Sequence, residues 1–302
     1  MAKPVIAVIG GTGAQGGGTV AALLAQGQFG VRVITRDPAG PRAQALVAKG
    51  IEVVAGDLLV PKSLQSALSG AHGAFLVTNF WDPTQQAREA EVGISAVQAA
   101  HAAGVQHLIW STLPNVEALT HGELHVVHFT GKAQVDAAVK MAGFPRHTFV
   151  HAPFYFQNLL GVLAPQPLPG GGKGWAVPIN PAARVIHAGD VAEVGLAAAG
   201  AFAAGDALPN GSHLAVCGGL YSWNDMAAAM NAVGHQISVQ QVAAEVYDTF
   251  YPGARELREM FQYFERCTYM GPDHEARTAL ARSVVPGGFT PLEVWCRENL
   301  AV

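Results

Sequence analysis

At 302 residues the chain can bury a sizeable core, and with 50% hydrophobic and only 13% charged residues it reads as a folded globular protein rather than a disordered one. A net charge of −4 gives no electrostatic ground for direct nucleic-acid binding. The lack of an apolar run of about 18 residues predicts no membrane span.

The first apolar run, Val5-Ile6-Ala7-Val8-Ile9, leads into Gly10-Gly11-Thr12-Gly13-Ala14-Gln15-Gly16, after which Thr19 to Ala25 reads as helix. That is a buried parallel strand, a tight loop and a helix N-terminus, the first half of a βαβ unit. Backbone N–H groups in such a loop approach a pyrophosphate closely, and the helix dipole favours the anion. Two glycine spacings fit. Gly11, Gly13 and Gly16 give G-x-G-x-x-G, while Gly10, Gly13 and Gly16 give the G-x-x-G-x-x-G of short-chain dehydrogenase-like proteins. With the first strand expected from Val5, no signal peptide is expected. Cys217, Cys267 and Cys296 are odd in number and far apart, which suits a reducing cytoplasm.

The second strand, Val31 to Thr35, decides between dinucleotides. An acidic residue at its end accepts from a ribose 2′-OH, whereas Arg36 there can pair with a 2′-phosphate, so NADP(H) is expected over NAD. Asp37, one position on, is the competitor. Pro41 to Lys49 is a short helix closed by Gly50, and Ile51 to Ala55 is strand three. Asp57-Leu58 follows it, where a carboxylate can accept from the adenine amine; the bland alternative is a turn aspartate. Ser63 to Leu68 reads as a helix with Ser63 as N-cap. Strand four, Ala74 to Thr78, opens into Asn79-Phe80-Trp81, and a long helix runs from Thr84 to Ala103. Strand five is His107 to Ser111, a helix covers His125 to Met141, and strand six is Thr148 to His151. This alternation predicts a doubly wound parallel sheet of the NAD(P)-binding Rossmann type, with ligands beyond the carboxyl ends of the strands.

Past Pro153 the composition changes: Phe154 to Leu160 is aromatic, and Pro165 to Gly174 is rich in Pro and Gly. Residues 1–153 are expected to form the cofactor domain, with 185–218 returning to it. Residues 154–184 and 219–302 would form a smaller α/β region on the substrate or partner side. His187 to Ala192 reads as a strand end entering a helix capped by Asp190, His213 to Val216 as a returning strand, and Ser222 to Val233 as a helix. Residues 245–266 read as helical, with aromatics that either pack the core or wall an apolar pocket.

Typical short-chain dehydrogenases carry a Tyr and, four residues on, a Lys that holds the nicotinamide ribose. Here the pair is His128 and Lys132, and a histidine can serve as proton donor or simply be a satisfied core residue. His121, His125 and His128 lack the carboxylate or cysteine companions of a metal motif. The stretches Gly10 to Gly18, Val33 to Pro38, Val77 to Trp81, His128 to Lys132, Pro153 to Leu160 and Tyr251 to Arg255 together resemble the NmrA-like family of atypical short-chain dehydrogenases. Within it the likeness is to redox sensors of the NmrA-like family domain-containing protein 1 type.

The resemblance implies Gly10 to Gln15 on the pyrophosphate and Arg36 on the 2′-phosphate. It also implies Thr78, Asn79, Phe80 and Lys132 near the nicotinamide ribose, with Tyr155, Phe156, Gln157 and Asn158 closing over the nicotinamide. The family tends to carry further basic residues where this chain has Ala39-Gly40-Pro41. The function expected first is a regulatory NADP(H) sensor, because the tyrosine is missing. The alternatives are an NADPH-dependent reductase of quinones or small carbonyl or imine compounds, and a scaffold with a vestigial cofactor. Expected partners are NADP(H), a regulatory protein and a second copy of the chain.

Overall fold

The computed structural model describes residues 2–168 and 170–301, so Met1, Val302 and, in the Pro- and Gly-rich stretch, Pro169 lie outside the described residues. The first half of the chain supplies strands β1 (Val5–Ile9), β2 (Gly30–Thr35), β3 (Glu52–Ala55), β4 (Gly73–Leu76), β5 (His107–Thr112) and β6 (Arg146–His151). Among them run helices α1 (Ala14–Gln26), α2 (Pro41–Val47), α3 (Pro61–Leu68), α4 (Glu89–Ala102), α5 (Val116–Leu119) and α6 (Val127–Met141). The second half adds β7 (Phe154–Tyr155), β8 (Gln166–Pro167), β9 (Lys173–Val177), β10 (Ile186–Gly189), β11 (His213–Ala215), β12 (Gly219–Tyr221) and β13 (Ile237–Gln241). Its helices are α7 (Glu193–Ala204), α8 (Trp223–Asn231), α9 (Ala244–Tyr247), α10 (Ala254–Cys267), α11 (His274–Ser283) and α12 (Leu292–Asn299).

The central sheet has the order β11-β6-β5-β4-β1-β2-β3, with every pairing parallel. Successive residues of β1 face opposite sides. Ile6 and Val8 enter a core with α1 and α7, and Ala7 and Ile9 enter one with α3, α4 and α6. Strand order reverses between β1 and β4, so the loops after these two strands diverge and leave a crevice. Two smaller sheets, β12-β10-β7 and β13-β9-β8, extend the molecule beyond that crevice. The returning strand at His213 does join the large sheet, against β6, whereas β10 pairs in a small one.

Several local readings change. α1 begins at Ala14 rather than Thr19, because its glycines are used for close contact and not as breakers: a Cβ on Gly18 would sit 2.4 Å from Ala192 O, and one on Gly195 2.1 Å from Gly18 C. Ser63 is not an N-cap. It lies inside α3, and its hydroxyl donates to Val60 O and accepts from Asp57 N. Asp190 does not cap α7 either; its carboxylate accepts from Ala192 N and from the Gln157 and Trp295 side chains. The long helix after strand four starts at Glu89, behind a single 3-10 turn at Gln86–Arg88. The stretch 245–266 is helical as expected, in two pieces, α9 and α10, separated by a break that includes Pro252, which lacks a donor, and Gly253 at φ 89°. Ser222 caps α8 as expected, in a reciprocal capping box with Asp225.

Candidate functional site

The loop after β1 turns on Gly10, at φ 68°, and Gly13 N donates to Gly10 O at 2.8 Å. A Cβ on Gly16 would lie 2.2 Å from Gly10 O, so helix and turn approach at backbone distance. The fold therefore uses the Gly10, Gly13, Gly16 spacing, while Gly11 packs against Val33 of β2. α1 has no side-chain cap and no acidic residue in its first turn, which leaves its leading N–H groups open to an anion. A dinucleotide pyrophosphate fits this backbone cradle, which side chains would fill.

At the end of β2, Arg36 extends to Asp82 on the loop after β4, Nη1 to Oδ2 at 2.8 Å. Hydrogen bonds from Thr84, and then Arg36, hold the Asp82 carboxyl down to about 2. The competing Asp37 is committed elsewhere. Its carboxylate accepts from Ala39 N, closing a local turn, and it does not line the cleft. Arg42, which the sequence reading did not single out, donates to Thr12 O. Asp57 Oδ1 accepts from Leu59 N in a turn, and Asp57 and Leu58 both line the cleft.

Lys132 comes up from α6 under the loop after β4. Its ammonium donates to Thr78 O and Oγ1, both at 3.0 Å, and to Glu89 Oε1 at 2.5 Å. Thr78 Oγ1 in turn donates to Glu89 Oε1 at 2.7 Å. All three N–H donors of the lysine are thus engaged. Burial pushes the Lys132 pKa down from its usual value, and Glu89 opposes that shift. Below this pair, Asp136 accepts from Trp110 Nε1 and Thr112 Oγ1, and burial raises its carboxyl to about 7.

One helical turn before Lys132, His128 Nδ1 lies 2.8 Å from Glu256 Oε1. Its ring packs among those of Phe80, Trp81 and Phe129, at centroid distances of 5.5, 5.4 and 5.0 Å. The hydrogen bond with His128 lowers the Glu256 pKa. α6 has no side-chain cap of its own. Instead α10 supplies carboxylates from outside: Glu256 accepts from His128 N, and Glu259 from His125 N. Among the described residues no group of three or more His, Cys, Asp or Glu could hold a metal.

Across the floor, Ser111 Oγ donates to Gln15 Oε1 and Gln15 Nε2 donates to the Tyr155 hydroxyl, each at 2.7 Å. Burial raises the Tyr155 phenol to about 12, so it stays protonated. Of its neighbours, Asn158 lines the cleft. Phe156 is fully buried, and Gln157 turns away, donating to Asp190 and accepting from Val191 N.

These groups share one cleft of about 1200 Å³, lined by Gly10, Thr12 to Gly16, Arg36, Asp57, Leu58, Thr78 to Phe80, His128, Lys132, Tyr155 and Asn158. Of the residues expected at the site, only Gly11, Phe156 and Gln157 are absent from its wall. The far end is aromatic, with Trp175, Tyr247, Phe250, Tyr251 and Tyr269. Glu89, Glu256 and Tyr269 were missed by the sequence reading. Glu256 directly follows the family-like stretch ending at Arg255, which was its one signal; Glu89 had none.

A model of the NmrA-like family matches residues 2–296. The chain belongs to the NmrA-like family. It is 34% identical over 159 residues to the NmrA-like family domain-containing oxidoreductase himF of Aspergillus japonicus, a match of 52% of this chain and 48% of that one. A similar oxidoreductase, FrzB of Cladobotryum sp, matches at 34% over 161 residues. The chain thus spans about half the length of the curated relatives it matches. Among solved structures, NmrA, a negative transcriptional regulator, in complex with NADP superposes with a TM-score of 0.80 at 25% identity. That superposition covers 99% of this chain and 96% of the other. NmrA has also been crystallised with NAD, and that structure is equally similar, at a TM-score of 0.81.

Proposed function

We propose that the protein is an NADP(H)-dependent oxidoreductase that reduces an apolar, aromatic quinone, carbonyl or imine. The observation that carries this reading is the single cleft. It joins a phosphate-ready helix N-terminus and Arg36 at one end to Lys132, His128 and an aromatic chamber at the other, with Glu256 behind His128. The cofactor, when bound, supplies the hydride. The residues do the rest. The first turn of α1 holds the pyrophosphate, and Arg36 exchanges Asp82 for the 2′-phosphate. Lys132 orients the ribose from a buried, pre-set position, exchanging one of its two bonds to Thr78 for a ribose hydroxyl. The aromatic walls exclude water and take up the substrate, and His128 holds a proton beside it. In this reading residues 1–153 and the returning strand β11 serve the cofactor, and the segments 154–184 and 219–302 serve the substrate. The oxidoreductase names of the sequence relatives support it.

The test is NADPH oxidation by the purified protein with a para-quinone, an aromatic aldehyde and a cyclic imine. Turnover with at least one of them is expected, and none with any would remove the reading. The regulatory sensor stays as the second reading, because the likeness to NmrA runs over nearly the whole chain. A sensor must bind NADPH and NADP+ with different consequences for its shape or its partner, so equal effects of both cofactors on proteolysis and melting would count against it.

A further inference from the structure

We propose that Glu256 is a positioning residue: it holds the Nδ1 side of His128 and so directs Nε2 into the substrate end of the cleft. Four observations support this. First, Glu256 Oε1 lies 2.8 Å from His128 Nδ1 and also accepts from the backbone N of the same residue, so one oxygen fixes both ring and main chain. Second, the ring is wedged among Phe80, Trp81 and Phe129, which leaves it little rotational freedom. Third, His128 lines the cleft whereas Glu256 does not. Nε2 has no hydrogen-bond partner among the described residues. Fourth, Lys132 follows at i+4 on the same helical face, so Nε2 sits one turn from the ammonium beneath the loop after β4.

The consequence rests on the reductase reading. In the neutral ring the proton sits on Nδ1 against the carboxylate, and Nε2 offers a lone pair. In the protonated ring Nε2–H is the donor, and the Glu256 carboxylate faces the positive charge. A carbonyl or imine carbon that takes up a hydride sends its π electrons to oxygen or nitrogen. Nε2 gives its proton there, leaving an alcohol or amine, the oxidised cofactor and a neutral imidazole. Solvent then restores the proton. The contribution of α10 is therefore chemical as well as structural, although it belongs to the segment farthest in sequence from the cofactor loop.

The experiment uses the full chain, free and saturated with NADP+, with ring-nitrogen NMR of His128 assigned through His128→Gln. The wild type is expected to show the Nδ1–H tautomer. Glu256→Gln keeps an acceptor and should retain it, while Glu256→Ala should redistribute the ring between tautomers, all with NADP+ affinity within about twofold. In turnover, Glu256→Gln should lower kcat about tenfold or more with KM little changed, as expected when the charge behind an acting histidine is lost. An Nε2–H tautomer in the wild type, unchanged ring signals in Glu256→Ala, or an unchanged kcat in Glu256→Gln would each overturn the proposal. The expected ring signals in a protein that oxidises no NADPH would uphold the positioning and remove the reductase reading instead.

Discussion

Lys132 carries its charge into a nearly dry site, and it is tolerated there because Glu89 and Thr78 answer every N–H it has. Removing one member of a buried ion pair strands the other. Glu89→Ala should therefore cost about 3–5 kcal/mol in denaturant unfolding, and Glu89→Ala with Lys132→Ala less than the sum of the single losses. Additive losses would mean that the two charges do not depend on each other. Arg36 is the opposite case, exposed and held only by Asp82. Arg36→Ala should weaken NADPH by about 1.5–3 kcal/mol and leave NADH nearly unchanged in parallel titrations, since only NADPH carries the 2′-phosphate that this guanidinium would pair with. Equal losses for both cofactors would reject the pairing. Arg36 and Lys132 were legible because each stands at a fixed spacing from a motif. Glu89 was not, because its partner lies 43 positions away in sequence and nothing local marks the meeting.

The loop and α1 separate two jobs that glycines do in one element. A Cβ on Gly13 meets only Gly10 O, at 3.3 Å, whereas one on Gly16 would drive into the same oxygen at 2.2 Å. Gly13→Val should leave the protein folded yet abolish the rise in melting temperature on adding NADPH, because the side chain occupies the phosphate approach. Gly16→Val should lower the melting temperature before any cofactor is added. A Gly13→Val protein that still gains several degrees with NADPH would put the phosphates elsewhere. The existence of these elements was readable from apolar runs and breakers, but their ends were not. α10 shows why: its start depends on Pro252 and Gly253, and its value to the site lies in Glu256 at the first turn of α6 and Glu259 at His125 just before that helix, contacts across more than a hundred residues.

Over the whole molecule, one set of histidines sits where burial disfavours the charged form. Burial takes His107 and His187 to about 3 and His213 to about 4, and holds His151, hydrogen-bonded to His213, well below 6.5. Above the ordinary histidine pKa both folded and unfolded chains are neutral at these sites. Below it the unfolded chain binds protons that the folded one refuses, so stability falls as pH falls, by about 1.4 kcal/mol per unit for each histidine. Asp136, raised to about 7, acts the other way across the same window, because the folded chain keeps a proton there that the unfolded one releases, and Glu193, also raised by burial, acts in the same direction as Asp136. The histidines outnumber them. Urea unfolding should show a net loss of roughly 3–5 kcal/mol between about pH 6.5 and about pH 4.5. A flat profile would mean that the histidines are already open to water.

The sequence by itself determined the doubly wound sheet, the glycine turn, the basic residue at the end of β2 and the lysine of α6. Each of these depends on a local period or on a short fixed spacing that the backbone enforces. Tertiary structure alone decided which glycine triplet makes the turn, that Asp37 is spent on its own loop, and that Phe156 and Gln157 face away from the cleft. It also decided that carboxylates from α4 and α10 reach Lys132 and His128. Those outcomes depend on which side chains meet after the sheet has brought distant loops to one edge. No pattern along the chain encodes such meetings, because the selective contact is between surfaces and not between neighbours in sequence.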